Sequence, residues 1–334
     1  MWPMRIAALT GGVGGARFLR GLVHHVRQSV PADASPEITV IGNTGDDITV
    51  AGLRVCPDLD TVLYTLGGGV DDRQGWGRAD ETHVVQTELS ALGVGPDWFT
   101  LGDRDIATHL ARSQWLGQGL SLSQVTERLA HRWGLPRLGV RLLPVTDTPI
   151  ETHVVVAGDE EAPERAIHFQ EWWIRHRASI PALRFTVAGL DRATPAPGVL
   201  DALRTADVVL LPPSNPVVSI GIILGVPGVR DALRGTRAPV VGVSPLIGGE
   251  PVRGHADACL RPLGVEVSAA GVAGLYGDFL DGWLVDDVDA GAGGYPARTR
   301  VESRDLHMRD VPSAAAIAGA ALDLARRLGA EGVR

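Results

Sequence analysis

The sequence predicts an α/β fold: a Rossmann-like, doubly wound, mostly parallel sheet carrying a helical insertion. Three observations predict it. Short apolar runs recur without polar alternation, the pattern of strands buried on both faces. Helical patterns lie between them, and strands alternating with helices build a parallel sheet through crossovers. The first run leads straight into clustered glycines and a helix, in LTGGVGGARFLRGL at 9–22.

Taken in order, the strand candidates are RIAALT, ITVIGNT, RLLPVT, THVVVAG, RFTVAG, DVVLLPP and PVVGVSP. Helical patterns cover 16–26 and 59–66, the second with Asp58 as its candidate N-cap. The stretch 121–133 opens with Ser121 and has Gln124 three residues on, the spelling of a capping box. A last helical pattern covers 314–328. Between residues 80 and 134 the alternation stops: three helical patterns (84–92, 106–116, 122–133) follow one another with no clear strand. The expected organisation is a Rossmann-like core formed by 1–79 and 135–334, with 80–134 as a mostly helical insertion. The Gly/Ala/Asp-rich stretch 287–299 reads as a mobile loop.

With 334 residues, 45% of them apolar, the chain can bury a sizeable core. A net charge of −8 and a pI near 5.7 argue against nucleic acid as a partner. All 31 basic residues are Arg. Any phosphate contact or catalytic cation therefore comes from Arg, from backbone N–H groups or from a metal. Cys56 and Cys259 give no disulfide framework, and the histidines show no zinc spacing. No apolar run reaches the roughly 18 residues of a membrane span. The segment MWPMRIAALTGG lacks the apolar region and cleavage site of a signal peptide. The expectation is a cytoplasmic protein acting on a small molecule.

Gly11, Gly12, Gly14 and Gly15 sit between a strand and a helix, where glycines let the backbone approach an anion and the helix N-terminus adds free donors. The spacing is neither the dinucleotide fingerprint nor the Walker loop. Arg17, in the first turn, stands where a cation would be needed. The alternative is a tight turn with no ligand. Two acidic pairs follow: Asp46-Asp47 after the second strand, then Asp58 and Asp60. Loops at the carboxyl ends of parallel strands meet in one crevice. Carboxylates gathered beside a phosphate loop call for a cation, and Mg²⁺ takes one or two carboxylates plus phosphate oxygens. The expected centre is a diphosphate–Mg²⁺ site with one Asp from each pair, Asp46 and Asp58 ranking before Asp47 and Asp60. Read alone, Asp58 is a helix cap and Asp46-Asp47 a turn.

In DVVLLPPSNPVVSIGIIL, prolines stiffen a turn whose Ser214, Asn215 and Ser219 offer polar groups to a base, ribose or phosphate. In 75–83, Trp76 offers a stacking face, and Arg78 and Thr82 offer polar contacts. In 98–112, Asp103, Arg104, Asp105 and Arg112 read first as a helix start with surface ion pairs, Asp103 and Arg104 being the better ligand candidates. The segment HFQEWWIRHR reads as a helix that packs against another subunit, with a substrate lid as the rival reading.

These motifs, together with CPDLDTVLYTLGG, RAIHFQEWW and VSPLIGGEPVRGHADACL, resemble the 2-phospho-L-lactate transferase family of coenzyme F-420 biosynthesis over about residues 5–285, with the actinobacterial phosphoenolpyruvate branch the nearest in look. The resemblance implies a Rossmann-type core, often dimeric, and a requirement for Mg²⁺. It implies a guanosine diphosphate donor esterified to lactate or phosphoenolpyruvate, and the ribityl hydroxyl of 7,8-didemethyl-8-hydroxy-5-deazariboflavin as acceptor, with GMP released. On that reading Gly11, Gly12, Gly14, Gly15, Arg17, Ser214, Asn215 and Ser219 hold the donor. Asp46, Asp47, Asp58 and Asp60 supply the metal ligands, and Asp46 or Asp47 orients or deprotonates the hydroxyl. Asp46, Trp76, Arg78, Thr82, Asp103 and Arg104 meet the deazaflavin. The rival reading is a nucleotide-sugar-binding regulator of the same superfamily. Such relatives typically read DDGGSSG where this chain reads NTGDD.

Overall fold

The computed structural model describes residues 4–29, 37–158 and 162–332. Its strands are β1 (Arg5–Thr10), β2 (Glu37–Gly42), β3 (Ile48–Val50), β4 (Leu53–Val55), β5 (Val140–Pro144), β6 (Glu151–Ala157), β7 (Glu164–His168), β8 (Ala182–Ala188), β9 (Val208–Leu211), β10 (Val240–Val243), β11 (Leu246–Ile247), β12 (Glu250–Pro251), β13 (Gly282–Val285) and β14 (Arg300–Ser303). The helices are α1 (Gly12–Ser29), α2 (Pro57–Leu66), α3 (Val84–Ala91), α4 (Asp103–Gly117), α5 (Leu122–Arg132), α6 (Val199–Thr205), α7 (Ile220–Gly225), α8 (Val229–Gly235), α9 (Ala256–Leu260), α10 (Ala269–Gly274) and α11 (Val311–Ala330).

Seven strands form one parallel sheet in the order β14-β13-β10-β9-β1-β2-β5. β1 lies inside it, next to the central β9, with Ile6 opposite both Ile38 of β2 and Val208 of β9. Successive side chains of a strand point to opposite faces, so a non-alternating apolar run feeds two cores at once. Ile6 and Ala8 pack with α1, α2, α5 and α11. Ala7 and Leu9 pack with α6, α7, α8 and α10 on the other face. The α5 residues Leu122, Val125 and Leu129 belong to the first of these cores. The capping box at Ser121 and Gln124 is formed. Among the described residues no helix is long and apolar enough to cross a membrane.

Several local expectations need correction. THVVVAG and RFTVAG do form strands, β6 and β8, but with β7 they make a separate antiparallel sheet, β7-β6-β8. β13 and β14 take their places in the main sheet. Three of the four residues of β14 (RVES) are polar, as suits an edge strand, which hides it from a search for apolar runs. The first helix begins at Gly12 and not at residue 16, so Gly12, Gly14 and Gly15 lie inside its first turn. Asp58 is not a cap: α2 begins at Pro57, and the Asp58 carboxylate reaches out to the backbone of Gly12. HFQEWWIRHR is the end of β7 followed by one wide helical turn, Glu171–Arg175, and Trp172 is buried in the core under the small sheet. Segment 287–299 is irregular beyond a short turn at Asp287–Asp289.

Candidate active site

The strand order reverses direction at β1: the chain goes to β2 on one side and returns to β9 on the other. Crevices at such switch points, at the carboxyl ends of the strands, are where open α/β sheets bind ligands. The turns after β1 and β9 are adjacent there, and they touch backbone to backbone. A Cβ on Gly14 would overlap the carbonyl of Pro213, and one on Gly15 would overlap the hydroxyls of Thr10 and Ser214. A Cβ on Gly11 would lie 2.7 Å from Cβ of Ser219. Gly12 has a φ of +66°, which glycine adopts without strain. The Gly11 N–H donates to Ser214 Oγ at 3.2 Å. These glycines thus earn their place by letting two turns meet, and the same contact brings α1's first amides to the cavity wall.

A cavity of about 530 Å³ opens on this junction. Of the residues singled out from sequence, Gly11, Gly12, Gly14, Arg17, Asp46, Asp58, Asp60, Trp76, Asp105, Ser214, Asn215 and Ser219 line it. Asp47 and Gly15 lie behind that wall. Arg78, Thr82, Asp103 and Arg104 do not reach it; they bind one another's segments instead. Thr82 Oγ1 and the amides of Val84 and Val85 donate to the Asp103 carboxylate, Arg78 donates to the Arg104 carbonyl, and Arg104 donates to the Ala79 carbonyl. This set fastens the loop before α3 to the start of α4.

Of the four carboxylates, one from each pair meets. Asn43 Nδ2 donates to Asp46 Oδ1 at 3.0 Å, to Asp58 Oδ2 at 2.9 Å and to the Val218 carbonyl at 3.1 Å. The amide has two hydrogens for three acceptors, so it holds both carboxylates close without satisfying either fully. The Gly12 N–H donates to Asp58 Oδ1 at 2.7 Å. Burial pushes Asp58 up to about 6, against the pull of the bonds from Asn43 and Gly12. Burial, and then the charge of Asp58, raises Asp46 well above the usual carboxylate range. Two buried carboxylates held on one amide, both raised by burial and Asp46 further by the charge of Asp58, form a ready site for a divalent cation. The donor set also fits Mg²⁺: hard oxygens, two protein ligands, and an open cavity side for phosphate and water.

The other two carboxylates have cationic partners. Asp47 accepts from the Cys56 thiol at 3.1 Å and faces Arg54 at 3.5 Å, while burial raises it to about 7. Asp60 is bonded to Arg112, which is 1% exposed. Arg112 also donates to His109 Nδ1 at 3.0 Å, and His109 Nε2 lies 3.3 Å from Asp105. Asp105 accepts from Tyr64 Oη at 2.6 Å. Asp105 and Arg112 are therefore buried, not a surface pair as their helical spacing suggested. One face of α4 carries a charged chain into the wall between α2 and the cavity.

Sequence reasoning missed several lining residues. Trp98, Phe99 and Leu101 from the loop before α4, with Phe169, Trp173 and Ile174, give the cavity an aromatic and apolar side. Gln170 donates to the Asp46 carbonyl at 3.2 Å, which explains how the FQEWW segment supports the acidic turn. Ser244 and Arg253 come from the loops after β10 and β12. All of these lay inside quoted motifs, so the motifs marked the segments but not which side chains turn inward.

The fold and this wall define an α/β protein with a carboxylate centre and an anion-binding helix start at a switch point, beside an aromatic slot. The chain belongs to the 2-phospho-L-lactate transferase CofD family, whose match spans residues 6–314. It is 62% identical over 327 residues to a phosphoenolpyruvate transferase of Thermobifida fusca, covering 97% of this chain and 99% of that one. It is 51% identical over 329 residues to a phosphoenolpyruvate transferase of Mycolicibacterium smegmatis, covering 96% and 99%. Among solved structures, protein BH3568 of Bacillus halodurans shares the fold with a TM-score of 0.60 at 18% identity, over 96% of this chain and 100% of that one.

Proposed function

We propose that the protein is a phosphoenolpyruvate transferase of coenzyme F-420 biosynthesis. It moves the phosphoenolpyruvyl group from a guanosine diphosphate donor to the ribityl hydroxyl of 7,8-didemethyl-8-hydroxy-5-deazariboflavin and releases GMP. Membership of the family and the names of relatives more than half identical support the reaction. The observation in the molecule that carries it is the pair Asp46–Asp58, set beside the α1 amides in a cavity with an aromatic side.

Phosphoryl transfer needs positioning and charge neutralisation more than covalent help from the protein. Asp46 and Asp58 would hold Mg²⁺, which supplies charge neutralisation of the diphosphate and of the leaving GMP. The amides at the start of α1 and the Ser214–Ser219 turn bind the donor's phosphates and ribose. Trp98, Phe99 and Trp173, with Trp76 at the mouth, sandwich the tricyclic acceptor. The ribityl oxygen attacks the phosphorus that carries the enolpyruvyl group, the bond from that phosphorus to the GMP oxygen breaks, and Asp46 receives the hydroxyl proton. Asp47 and Asp60, held by Arg54 and Arg112, set the position of these carboxylates from behind. Residues 80–134 serve as the insertion that walls the acceptor side. A cytoplasmic homodimer completes the reading.

The test is GMP release by the purified protein given Mg²⁺, the deazaflavin and either the enolpyruvyl or the lactyl donor. Turnover with a preference for the enolpyruvyl donor is expected, and no GMP release from either donor overturns the reading. Asp46→Asn and Asp58→Asn should each lower kcat by about a hundredfold or more while keeping the wild-type circular dichroism spectrum.

A further inference from the structure

Arg17, in the second turn of α1, and Arg253, between β12 and α9, are the only arginines lining the cavity among the described residues. They come from distant segments of the chain and converge at Gly75. A methyl group built on that glycine would lie 2.9 Å from Nη1 of Arg253 and 3.5 Å from Nη2 of Arg17. Neither is in an ion pair among the described residues. Each donates to a main-chain carbonyl instead, Arg17 to Asp72 at 3.5 Å and Arg253 to Gln74. The carboxylate of Asp72 is taken by Arg20 at 2.8 Å. Partial desolvation, and then the charge of Arg17, lowers Arg253 from its ordinary value. Behind the cavity wall the chain pairs its arginines with acids, as at Arg54 and Arg112. Two guanidinium groups held together without a counter-ion at a cavity mouth are a receptor for a planar oxyanion, which their forked donors match.

We infer that Arg17 and Arg253 form the subsite for the carboxylate of the donor's acid group. The inference rests on the proposed function and deepens it. The donor carries three anionic groups. Two are phosphates, which the α1 amides and the Asp46–Asp58 centre already serve. The third is the carboxylate, and the remaining cavity-lining guanidinium groups are these two. Lactyl and enolpyruvyl donors both carry it, so this subsite selects a 2-phospho acid over a plain nucleoside diphosphate. It does not choose between the two acids.

The probe that separates carboxylate from phosphate is GDP, which has the nucleotide and the diphosphate but no acid group. Binding of the lactyl donor and of GDP, without acceptor, is measured by calorimetry for wild type, Arg253→Met, Arg253→Lys and Arg17→Met. Arg253→Met and Arg17→Met should each weaken donor binding about tenfold while GDP stays within about twofold. Arg253→Lys should recover only part, because an ammonium is a point charge without the fork. Equal weakening of donor and GDP assigns the pair to the diphosphate and overturns the inference, as does unchanged donor affinity. Failure of the proposed reaction reads out separately, as absent GMP release by the wild type, while the binding comparison stands without turnover.

Discussion

Arg112 shows how much one buried side chain organises. It reaches from α4 into the wall behind the carboxylate centre, where it meets Asp60 and His109. A buried pair contributes little net stability over an apolar substitute, but removing one partner leaves a bare charge in a dry place. Arg112→Met should therefore destabilise the protein by about 3–5 kcal/mol in urea unfolding. The double variant Arg112→Met with Asp60→Leu should recover much of that loss, and additive losses would deny the pair its role. Sequence reading saw Arg112 only as a charge at helical spacing. Spacing says which residues share a face, not whether that face meets water, and the partner lies 52 positions away in the chain. Asp46 was legible for the opposite reason: it follows the end of β2, and in a parallel sheet strand ends converge; Asp58 follows the small antiparallel hairpin β3–β4 and reaches the same point from the start of α2.

At the scale of the element, α1 and the Pro213–Ser219 turn act as one body. Their contact has no side chain between the backbones at Gly14, so an added methyl group has nowhere to go. Gly15→Ala should cost about 1–3 kcal/mol by overpacking, read as a lowered Tm, and should weaken GDP binding as Ser214 is displaced. Unchanged stability would mean that the two turns separate freely. Here the clustered glycines were legible as a signal, and the ligand-free alternative was partly right about their work. Four glycines did exceed what a turn requires, but close approach to a second turn accounts for much of the excess. That second turn lies about 200 residues on, at Ser214, beyond the reach of any local pattern. β6 and β8 were misplaced for a related reason: an apolar run shows that a strand is buried, not which sheet buries it.

For the whole molecule, the buried carboxylates tie stability to pH. Asp58 at about 6, Asp47 at about 7 and Asp46 well above the usual range keep protons that the unfolded chain has already released. Stability of the metal-free protein should thus fall as pH rises from about 4 to about 7, the window set by Asp58 and Asp47. A fall in Tm on the order of 5 °C over this window is expected. Mg²⁺ should reverse it at the alkaline end, where the carboxylates are free to bind, and do little at the acid end. Asp46→Asn should flatten both the pH trend and the Mg²⁺ response; a wild-type Tm that rises over the window would contradict the account.

The reversal of strand order at β1 has one more consequence. Between β2 and β5 the chain carries Asp46, the α2 residues Asp58 and Tyr64, and the Trp98–Leu101 wall, while loops following β9, β10 and β12 carry Ser214, Ser244 and Arg253. Each proposed subsite draws on both halves of the chain, Arg17 with Arg253 for the donor and Trp98 with Trp173 for the acceptor. Neither what is accepted nor what is donated can be revised from one half of the chain alone. A lineage that gave up the acid's carboxylate would record the change twice, at Arg17 and at Arg253, in opposite halves of the chain.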